Sequence, residues 1–430
     1  MGRRIGKYLL LFVVTLCLFA VLGGFSASAE EDVWEFDSSA QTLTRNGVVL
    51  QNVTRDEHGL TIGKNSGFSG KLDLGSGLVR ESNGASFYIS AIGTGAFENS
   101  PNLSEVWLPD NISYIGAGAF SNCTVLSYVS IPKQLTFIGD SAFRNCSALE
   151  GKWEFTDSLI NLGDNAFRGC SKISEMIVPC SITYLGQGVF ADCTNLVNAY
   201  ITDGVPYISD EAFKGCSKLT GPLSLPNSIE YIGGSAFAEC SMLSEITIPD
   251  TVGKIASGAF RECIRLTNIE IPSAALTIES YTFSGCTGLA YVTIPESVNK
   301  IGVKAFYNCN ELKKVIFRGS CPSFGASDIF SPYQTNVEIL YPKTKERSWK
   351  NDSSGAISSA KMVPYGWVFY LNSHNPEVVP EITNGEFTLE VAADGNNLVL
   401  LSIRSRNCPF AFTKTFIRRL QHNNQSCGRR

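Results

Sequence analysis

Histidine is scarce in this sequence, with three residues in 430, and none of them falls in a recognisable catalytic pattern. His58, His374 and His422 have no serine or cysteine nearby in a nucleophile motif, and no GxSxG, HExxH or phosphate-binding sequence occurs. Charged residues make up only 17%, and the net charge of −5 argues against a basic face for nucleic acid. We therefore predict a protein that is not an enzyme, requires no cofactor or metal, and binds no nucleic acid.

Long apolar runs are confined to the N-terminus. Basic residues among the first seven precede an apolar run from 8 to 23, which is followed by Ala27-Ser28-Ala29. This order is typical of a secretory signal peptide (1–29) cleaved after Ala29, and the alternative interpretation is an uncleaved membrane anchor. No later stretch reaches the roughly 18 apolar residues of a membrane span. We expect a secreted or cell-surface protein without a span in the mature chain.

What the sequence does contain is a repeat of 23 or 24 residues, marked by phenylalanine. The recurring residues are Phe97, Phe120, Phe143, Phe167, Phe190, Phe213, Phe237, Phe260, Phe283 and Phe306, and Phe330 continues the spacing. A constant period of this length indicates stacked structural units. Two of the longer units place their extra residue beside Gly151 and Gly221, which predicts a β-bulge at each of those strand starts.

The unit around Phe120 illustrates the other repeated positions. An Ile-Gly pair precedes it, Ala119 stands beside it, and Cys123 follows three residues later. Leu126 then opens a Leu-x-x-Val-x-Ile run, whose alternation predicts a short strand that a proline ends. The Ala-Phe-x-x-Cys spacing suits one or two helical turns with one face inward. Because units this short bury their apolar side only by stacking, we predict an α/β repeat solenoid.

These motifs resemble the BspA-type (Treponema pallidum-type) leucine-rich repeat, over about residues 92 to 340. The resemblance implies a right-handed curved solenoid of about 11 units, with a parallel sheet on the concave face and short helical or irregular segments on the convex face. It also implies a bacterial or protozoan surface or secreted protein, of the kind known mostly as adhesins and host-binding proteins. This functional expectation is analogy with the family.

Most of the 14 cysteines occupy one position of the repeat. They are Cys123, Cys146, Cys170, Cys193, Cys216, Cys240, Cys263, Cys286 and Cys309. Stacking would make the Cα–Cβ bonds of successive cysteines parallel. Their Cβ atoms would then lie near 5 Å apart, which exceeds the roughly 3.8 Å that a disulfide prefers. We therefore predict a ladder of buried, apolar side chains. Cys180, Cys321, Cys408 and Cys427 lie off the ladder, and their pairing stays open.

Partner binding is expected on the outward positions of the Leu-x-x-Val-x-Ile strands, which the resemblance places on the concave face. The candidate residues there are Trp107, Tyr128, Tyr200 and Tyr291, together with Glu105, Glu175 and Glu245. Aromatic side chains among carboxylates on a rigid sheet are able to anchor a protein or glycan partner. The alternative is that tyrosine, like threonine, simply suits strands.

A second aromatic column precedes the Ile-Gly position in the early units. It contains Tyr114, Phe137, Tyr184, Tyr207 and Tyr231. One interpretation is a side-wall patch for contact or self-association. The interpretation that we favour is packing on neighbours along the stack.

The flanks of the repeat are expected to cap it. We predict a β-rich N-terminal cap at 30–91, a solenoid at 92–340, a C-terminal cap at 341–365, and an incomplete module or disordered basic tail at 366–430. From Gly395 onward there are seven Lys or Arg residues and no acidic residue. A basic arm, an unstructured end, and a truncated or shifted reading frame all fit this composition.

Three functions follow from these features. The first is an adhesin-like exported protein that binds protein or glycan partners on host or neighbouring cells. The alternative is a structural spacer or self-assembling surface module without a specific ligand. The third is an accessory region of an enzyme, which would need a site built from the C-terminal segment.

Overall fold

The computed structural model describes residues 33–326, 328–331, 337–351, 354–357 and 360–365, and the backbone of 387–394 and 397–405. The predicted signal peptide and most of 366–430, including His374, His422, Cys408 and Cys427, lie outside the described residues. Two antiparallel strands are described beyond residue 366, and one of them begins at Phe387.

Short strands form most of the regular structure. Before the repeats lie β1 (Trp34–Asp37), β2 (Thr42–Arg45), β3 (Val48–Leu50), β4 (Val53–Asp56), β5 (Gly59–Ile62), β6 (Ser69–Asp73), β7 (Leu78–Glu81) and β8 (Ser86–Ile92). The first repeats contribute β9 (Asn102–Trp107), β10 (Tyr114–Ile115), β11 (Tyr128–Val129), β12 (Phe137–Ile138), β13 (Glu150–Glu154), β14 (Asn161–Leu162), β15 (Lys172–Val178), β16 (Tyr184–Leu185), β17 (Asn198–Ile201) and β18 (Tyr207–Ile208).

The later repeats and the C-terminal region continue the same pattern. The later repeats contribute β19 (Leu223–Ser224), β20 (Tyr231–Ile232), β21 (Ile246–Thr247), β22 (Lys254–Ile255), β23 (Asn268–Glu270), β24 (Thr277–Ile278), β25 (Tyr291–Ile294), β26 (Lys300–Ile301), β27 (Lys314–Phe317) and β28 (Ser323–Phe324). After them come β29 (Glu338–Pro342), a 3₁₀ turn (Lys343–Lys345), α1 (Glu346–Lys350), β30 (Lys361–Tyr365), β31 (Phe387–Asp394) and β32 (Asn397–Ser405).

Each repeat supplies two strands, which stack in parallel into two ladders. The Ile-Gly ladder contains the strands that end on the Ile or Leu of that position, from β8 through β10 and the even-numbered strands to β26, followed by β28, which ends on Phe324. The Val ladder contains the Leu-x-x-Val-x-Ile strands, from β9 and β11 through the odd-numbered strands to β29, followed by β30. Its strand pairing is interrupted between β11 and β13, between β17 and β19, and between β21 and β23. The predicted solenoid of stacked parallel strands is therefore confirmed.

Both ladders begin inside the N-terminal region. Ile62 of β5 pairs in register with Ile92 of β8, and Leu72 of β6 pairs with Val106 of β9. The antiparallel pairs of β1 with β2 and β7 with β8 adjoin these strands. Ile62-Gly63 already carries the repeat's Ile-Gly signature, so the sequence contains a signal for this early unit although the phenylalanine spacing does not reach it.

The predicted helical segments are wrong. In the unit of Phe120, the amide of Cys123 donates to the Phe120 carbonyl at 3.1 Å, which is the spacing of a turn. The amide of Phe120 donates instead to Ala142 of the next repeat at 2.7 Å, and Asn122 has a φ of +61°. Alternate amides thus point along the solenoid, where they cannot form the i to i−4 bonds of an α-helix. In the described residues α1 is the single α-helix.

The core is a continuous stack of the repeat phenylalanines. From Phe97 to Phe306 each ring is 0% exposed, and successive ring centroids from Phe97 to Phe330 lie 5.1–6.1 Å apart. The Phe330 ring continues the stack as predicted, 6.1 Å from Phe306. Offset aromatic stacking adds to the area that these side chains bury. Shared burial of one residue type in every unit holds the units in register.

Glycine after the Ile or Leu permits the close approach of neighbouring units. A Cβ on Gly186 would lie 2.3 Å from the carbonyl carbon and oxygen of Gly163 in the preceding repeat. Ser209 occupies the equivalent position one repeat later, and there the Ile-Gly ladder is interrupted, because β16 and β18 belong to different sheets. Ala256 and Glu279 also replace this glycine, yet β22 and β24 stay paired with their neighbours, so the missing glycine does not by itself interrupt the ladder.

The extra residues of the two longer units are accommodated differently. Between β13 and β15 the register shifts at Gly151, as predicted, and Gly151 has a φ of +85°. The second expected bulge does not form within a paired strand, because β19 begins only at Leu223, beyond Gly221. Pro222 lies between them, and proline has no amide to donate to a ladder.

The far end of the solenoid is covered by α1. Trp349 of this helix is 4% exposed and packs against Phe317 and Tyr341, with ring centroids 4.6 and 5.3 Å apart. Its Nε1 donates to the Gly319 carbonyl at 3.3 Å. The Val ladder continues through the segment predicted as the C-terminal cap, since β30 pairs in parallel with β29.

Candidate partner-binding surface

Two of the predicted anchors meet on the outward face of the Val ladder. Trp107 on β9 is 45% exposed, and Tyr128 on β11 is 42% exposed. Their ring centroids lie 4.6 Å apart, with the ring planes inclined by 43°. Alternation along the strands explains their position, because Val106 and Val129 between them point into the core and force their neighbours outward.

Glu105 completes this cluster together with a residue that the sequence did not single out. Glu105 is the register partner of Tyr128, and its Oε1 accepts from Nζ of Lys71 at 2.8 Å. Its Oε2 accepts from Nε1 of Trp107 at 3.4 Å. The hydrogen bond from Lys71 holds the pKa of Glu105 below its usual value. Lys71, Glu105, Trp107 and Tyr128 are called the aromatic patch below.

Lys71 was missed because it lies before the first repeat phenylalanine. The register between β6 and β9 shifts at Gly70, and this shift brings Lys71 opposite Glu105. Gly70-Lys71 of β6 corresponds to Gly151-Lys152 of β13, where the same bulge occurs. The Gly-Lys pair in both segments was the available signal.

The other predicted residues lie farther along the same face. Tyr200 is 52% exposed and stands three repeats beyond Tyr128, at least about 14 Å away at the usual strand spacing. Glu175 lies 3.5 Å from Nζ of Lys152. Glu245 is exposed, and the hydroxyl of Tyr291 accepts from Nδ2 of Asn268 at 3.1 Å. The structure therefore brings together Glu105, Trp107 and Tyr128, and separates Glu175, Tyr200, Glu245 and Tyr291 from them.

The second aromatic column packs along the Ile-Gly ladder. Tyr114 and Phe137 are stacked, with centroids 4.8 Å apart and planes inclined by 10°. The Tyr184 hydroxyl donates to Oδ1 of Asp164 at 2.8 Å, and this bond raises the pKa of Tyr184 to about 12. Tyr114 and Tyr184 remain 37% and 40% exposed, so the column is both a packing element and part of the surface.

The cysteine ladder is buried as predicted. All nine repeat cysteines are 0% exposed, and neither they nor Cys180 and Cys321 form a disulfide within the described residues. Burial raises the pKa of Cys123 to about 11 and that of Cys193 and Cys263 to about 12. A thiol with so high a pKa is protonated near neutral pH and is a poor nucleophile.

Other chemical features are sparse in the described part of the chain. His58 is 81% exposed, 3.6 Å from Glu57. Among the described residues, no three His, Cys, Asp or Glu side chains converge as metal ligands would. Within the same residues, no helix has the length and apolar character needed to cross a membrane.

Comparison with known families accounts for the repeat. The model of the BspA type leucine rich repeat region matches residues 90–220 and 221–334, in six copies. The chain belongs to this family. The match covers more than half of the 430 residues and includes the phenylalanine, cysteine and Ile-Gly positions that build the core of the BspA-type repeat. A comparison with curated proteins finds no match.

Several solved structures are similar to this BspA-type chain. A leucine-rich repeat protein from Bacteroides ovatus is 22% identical, with a TM-score of 0.43, covering 73% of this chain and 97% of that one. A leucine rich cell surface protein from Faecalibacterium prausnitzii is 23% identical, with a TM-score of 0.42 and coverages of 73% and 98%. The leucine rich repeat protein of T. pallidum is 28% identical, with a TM-score of 0.40 and coverages of 45% and 87%.

Proposed function

We propose that this chain is an exported, adhesin-like surface protein that binds a protein or glycan of host or neighbouring cells through the aromatic patch. The single observation that carries the proposal is the contact of two half-exposed rings, Trp107 and Tyr128, on the outward face of the Val ladder. Membership of the BspA-type family supports an extracellular binding role. The predicted signal peptide supports export.

The patch has the properties of a binding anchor. Large aromatic side chains dominate the energy of many interfaces, and they lose little conformational entropy on binding. Trp107 and Tyr128 are held by paired parallel strands over a buried core, so their positions are set before a partner arrives. Preorganisation of this kind lowers the cost of association.

We also propose that the role is non-catalytic. The ladder thiols are buried and protonated, and the exposed His58 has Glu57 as its charged neighbour. Neither arrangement pairs a nucleophile with a base. Of the two alternatives from the sequence, the structural spacer is an outcome of the following test, and the accessory region of an enzyme stays a prediction.

The test is capture of partners from host cell-surface and matrix extracts by the full chain. The variant Trp107→Ala/Tyr128→Ala should lose the captured partner while its melting temperature stays within a few degrees of the parent, because both side chains are largely outside the core. The matched control is Tyr114→Ala/Phe137→Ala, which removes a stacked pair of similar size on the Ile-Gly ladder. If the patch variant captures the partner as well as the control variant does, the binding site lies elsewhere on the chain. No specific capture by the parent chain, with self-association on sizing, would favour the spacer.

A further inference from the structure

The charges around the aromatic patch cancel one another. On β6 and β9, Lys71 pairs with Glu105 at 2.8 Å. Asp73, the register partner of Trp107 on β6, lies 3.8 Å from the guanidinium of Arg45. The two carboxylates that border the aromatic rings on β6 and β9 therefore each have a basic partner. A strongly charged partner finds no uncompensated opposite charge there.

The polar groups beneath the rings are also engaged. Oγ of Ser104 donates to the Gly70 carbonyl at 3.1 Å, and Oγ of Ser130 donates to the Leu108 carbonyl at 3.0 Å. The polar groups that project at the rim include the Lys71 ammonium, whose side chain is 65% exposed, and the carboxylates of Glu105 and Asp73. The ammonium donates and the carboxylates accept, which is the pairing that hydroxyl groups, both donors and acceptors, satisfy.

Trp107 and Tyr128 form an open platform instead of a pocket. Both rings present about half of their surface to solvent, and their planes are inclined by 43°. The two ring faces therefore form a shallow, open concave surface. The face of an aromatic ring carries partial negative charge, which attracts the weakly positive C–H groups of a second flat, apolar surface. A pyranose ring combines such a C–H face with a rim of hydroxyl groups.

We propose that the aromatic patch binds a neutral pyranose residue of a glycan. The sugar stacks its C–H face on Trp107 and Tyr128, while hydroxyl groups at its edge accept from Lys71 and donate to Glu105. This inference rests on the proposed function and specifies its ligand class. A protein partner anchored at the same place would instead be expected to supply a side chain for a pocket or a charge for an unpaired residue.

The experiment uses the full chain and a panel of neutral oligosaccharides built from hexoses and N-acetylhexosamines, with sialylated and sulfated members as charged comparators. At least one neutral oligosaccharide should bind in preference to its charged derivatives. Trp107→Ala/Tyr128→Ala should weaken this binding by about tenfold or more, whereas the control Tyr114→Ala/Phe137→Ala should leave it unchanged. Trp107→Phe, which keeps a ring at the platform, should retain most of the affinity.

Salt dependence gives a second readout. Binding of a neutral sugar should change little between about 0.05 and 0.5 M NaCl, because no net charge is neutralised on association. Preference for the charged members, or steep loss of binding with salt, would overturn the inference.

Capture from cell-surface extracts separates this inference from the proposed function. Capture that depends on Trp107 and Tyr128 and disappears when the extract is treated with glycosidases supports both. Capture that depends on the two residues but survives glycosidase treatment keeps the binding function and overturns the glycan. If capture is unchanged when both residues are replaced by alanine, the aromatic patch is not the binding site.

Discussion

The Sγ of Cys146 donates to the carbonyl oxygen of Phe120, 3.1 Å away in the preceding repeat. The same oxygen accepts from the amide of Cys123 at 3.1 Å, so both of its lone pairs are used. All nine ladder cysteines make this contact, at 3.1–3.2 Å. Each cysteine is therefore more than a small apolar side chain, because it satisfies a buried carbonyl between the stacked rings.

Thiol labelling should separate the ladder from Cys180. At about pH 8 in native buffer, peptides that contain Cys180 should react with a thiol reagent because this side chain is exposed. Peptides that contain Cys216 or Cys240 should react only after unfolding, since these thiols are buried and their pKa lies well above the usual value. Peptide mass mapping checks the result, and fast labelling of ladder peptides in the native chain would contradict it.

Replacement of a ladder cysteine should cost stability. Cys240→Ala leaves a small cavity and removes the bond from Sγ to the Phe213 carbonyl at 3.2 Å. We expect a loss of about 1–3 kcal/mol in the free energy of unfolding, measured by denaturant titration. The control Cys180→Ala should stay within about 0.5 kcal/mol, because Cys180 lies at the surface. Equal midpoints for the two variants would show that the ladder bond contributes nothing.

Stability should fall at alkaline pH because of the ladder. Burial raises the pKa of Cys263 from 9.0 to about 12, so the folded chain retains a proton that the unfolded chain releases. The contribution is fully present below about pH 9 and is lost as pH rises toward 12. Denaturant midpoints at about pH 8 and pH 10.5 measure the loss. Cys263→Ala should show a smaller drop than the parent, because the variant lacks this thiol and keeps every other titratable group. An unchanged drop would count against this origin.

The Ile-Gly ladder should not tolerate a side chain at Gly186. A Cβ there would overlap the Gly163 carbonyl at 2.3 Å, so β14 and β16 would have to separate. We expect Gly186→Ala to lower the free energy of unfolding by about 3 kcal/mol. Gly253→Ala is the matched control, because a Cβ at Gly253 meets nothing within 4 Å. Similar denaturation midpoints for the two alanine variants would refute the close-approach argument.

The turn segments show where sequence patterns were insufficient. In a helix, the spacing of Ala119, Phe120 and Cys123 would place these side chains on one side of the chain. The same spacing places them on one side in a series of successive turns, so it does not distinguish the two conformations. The choice depends on whether the Phe120 amide bonds within its own repeat or to Ala142 of the next. That partner is 22 residues away in sequence, so a local pattern does not contain the answer.

The sequence alone determined the stacking register and the buried positions. Phe120, Cys123 and the Ile-Gly pair recur at a fixed period, and only stacking buries them in every unit at once. Tertiary structure decided the turn conformation and the composition of the aromatic patch. Lys71 meets Glu105 through a bulge at Gly70, and Trp107 meets Tyr128 across two strands. The first contact depends on a register shift between units of unequal form, and the second on how two diagonal side chains pack, since Tyr128 stands opposite Glu105. The period of the repeat specifies neither.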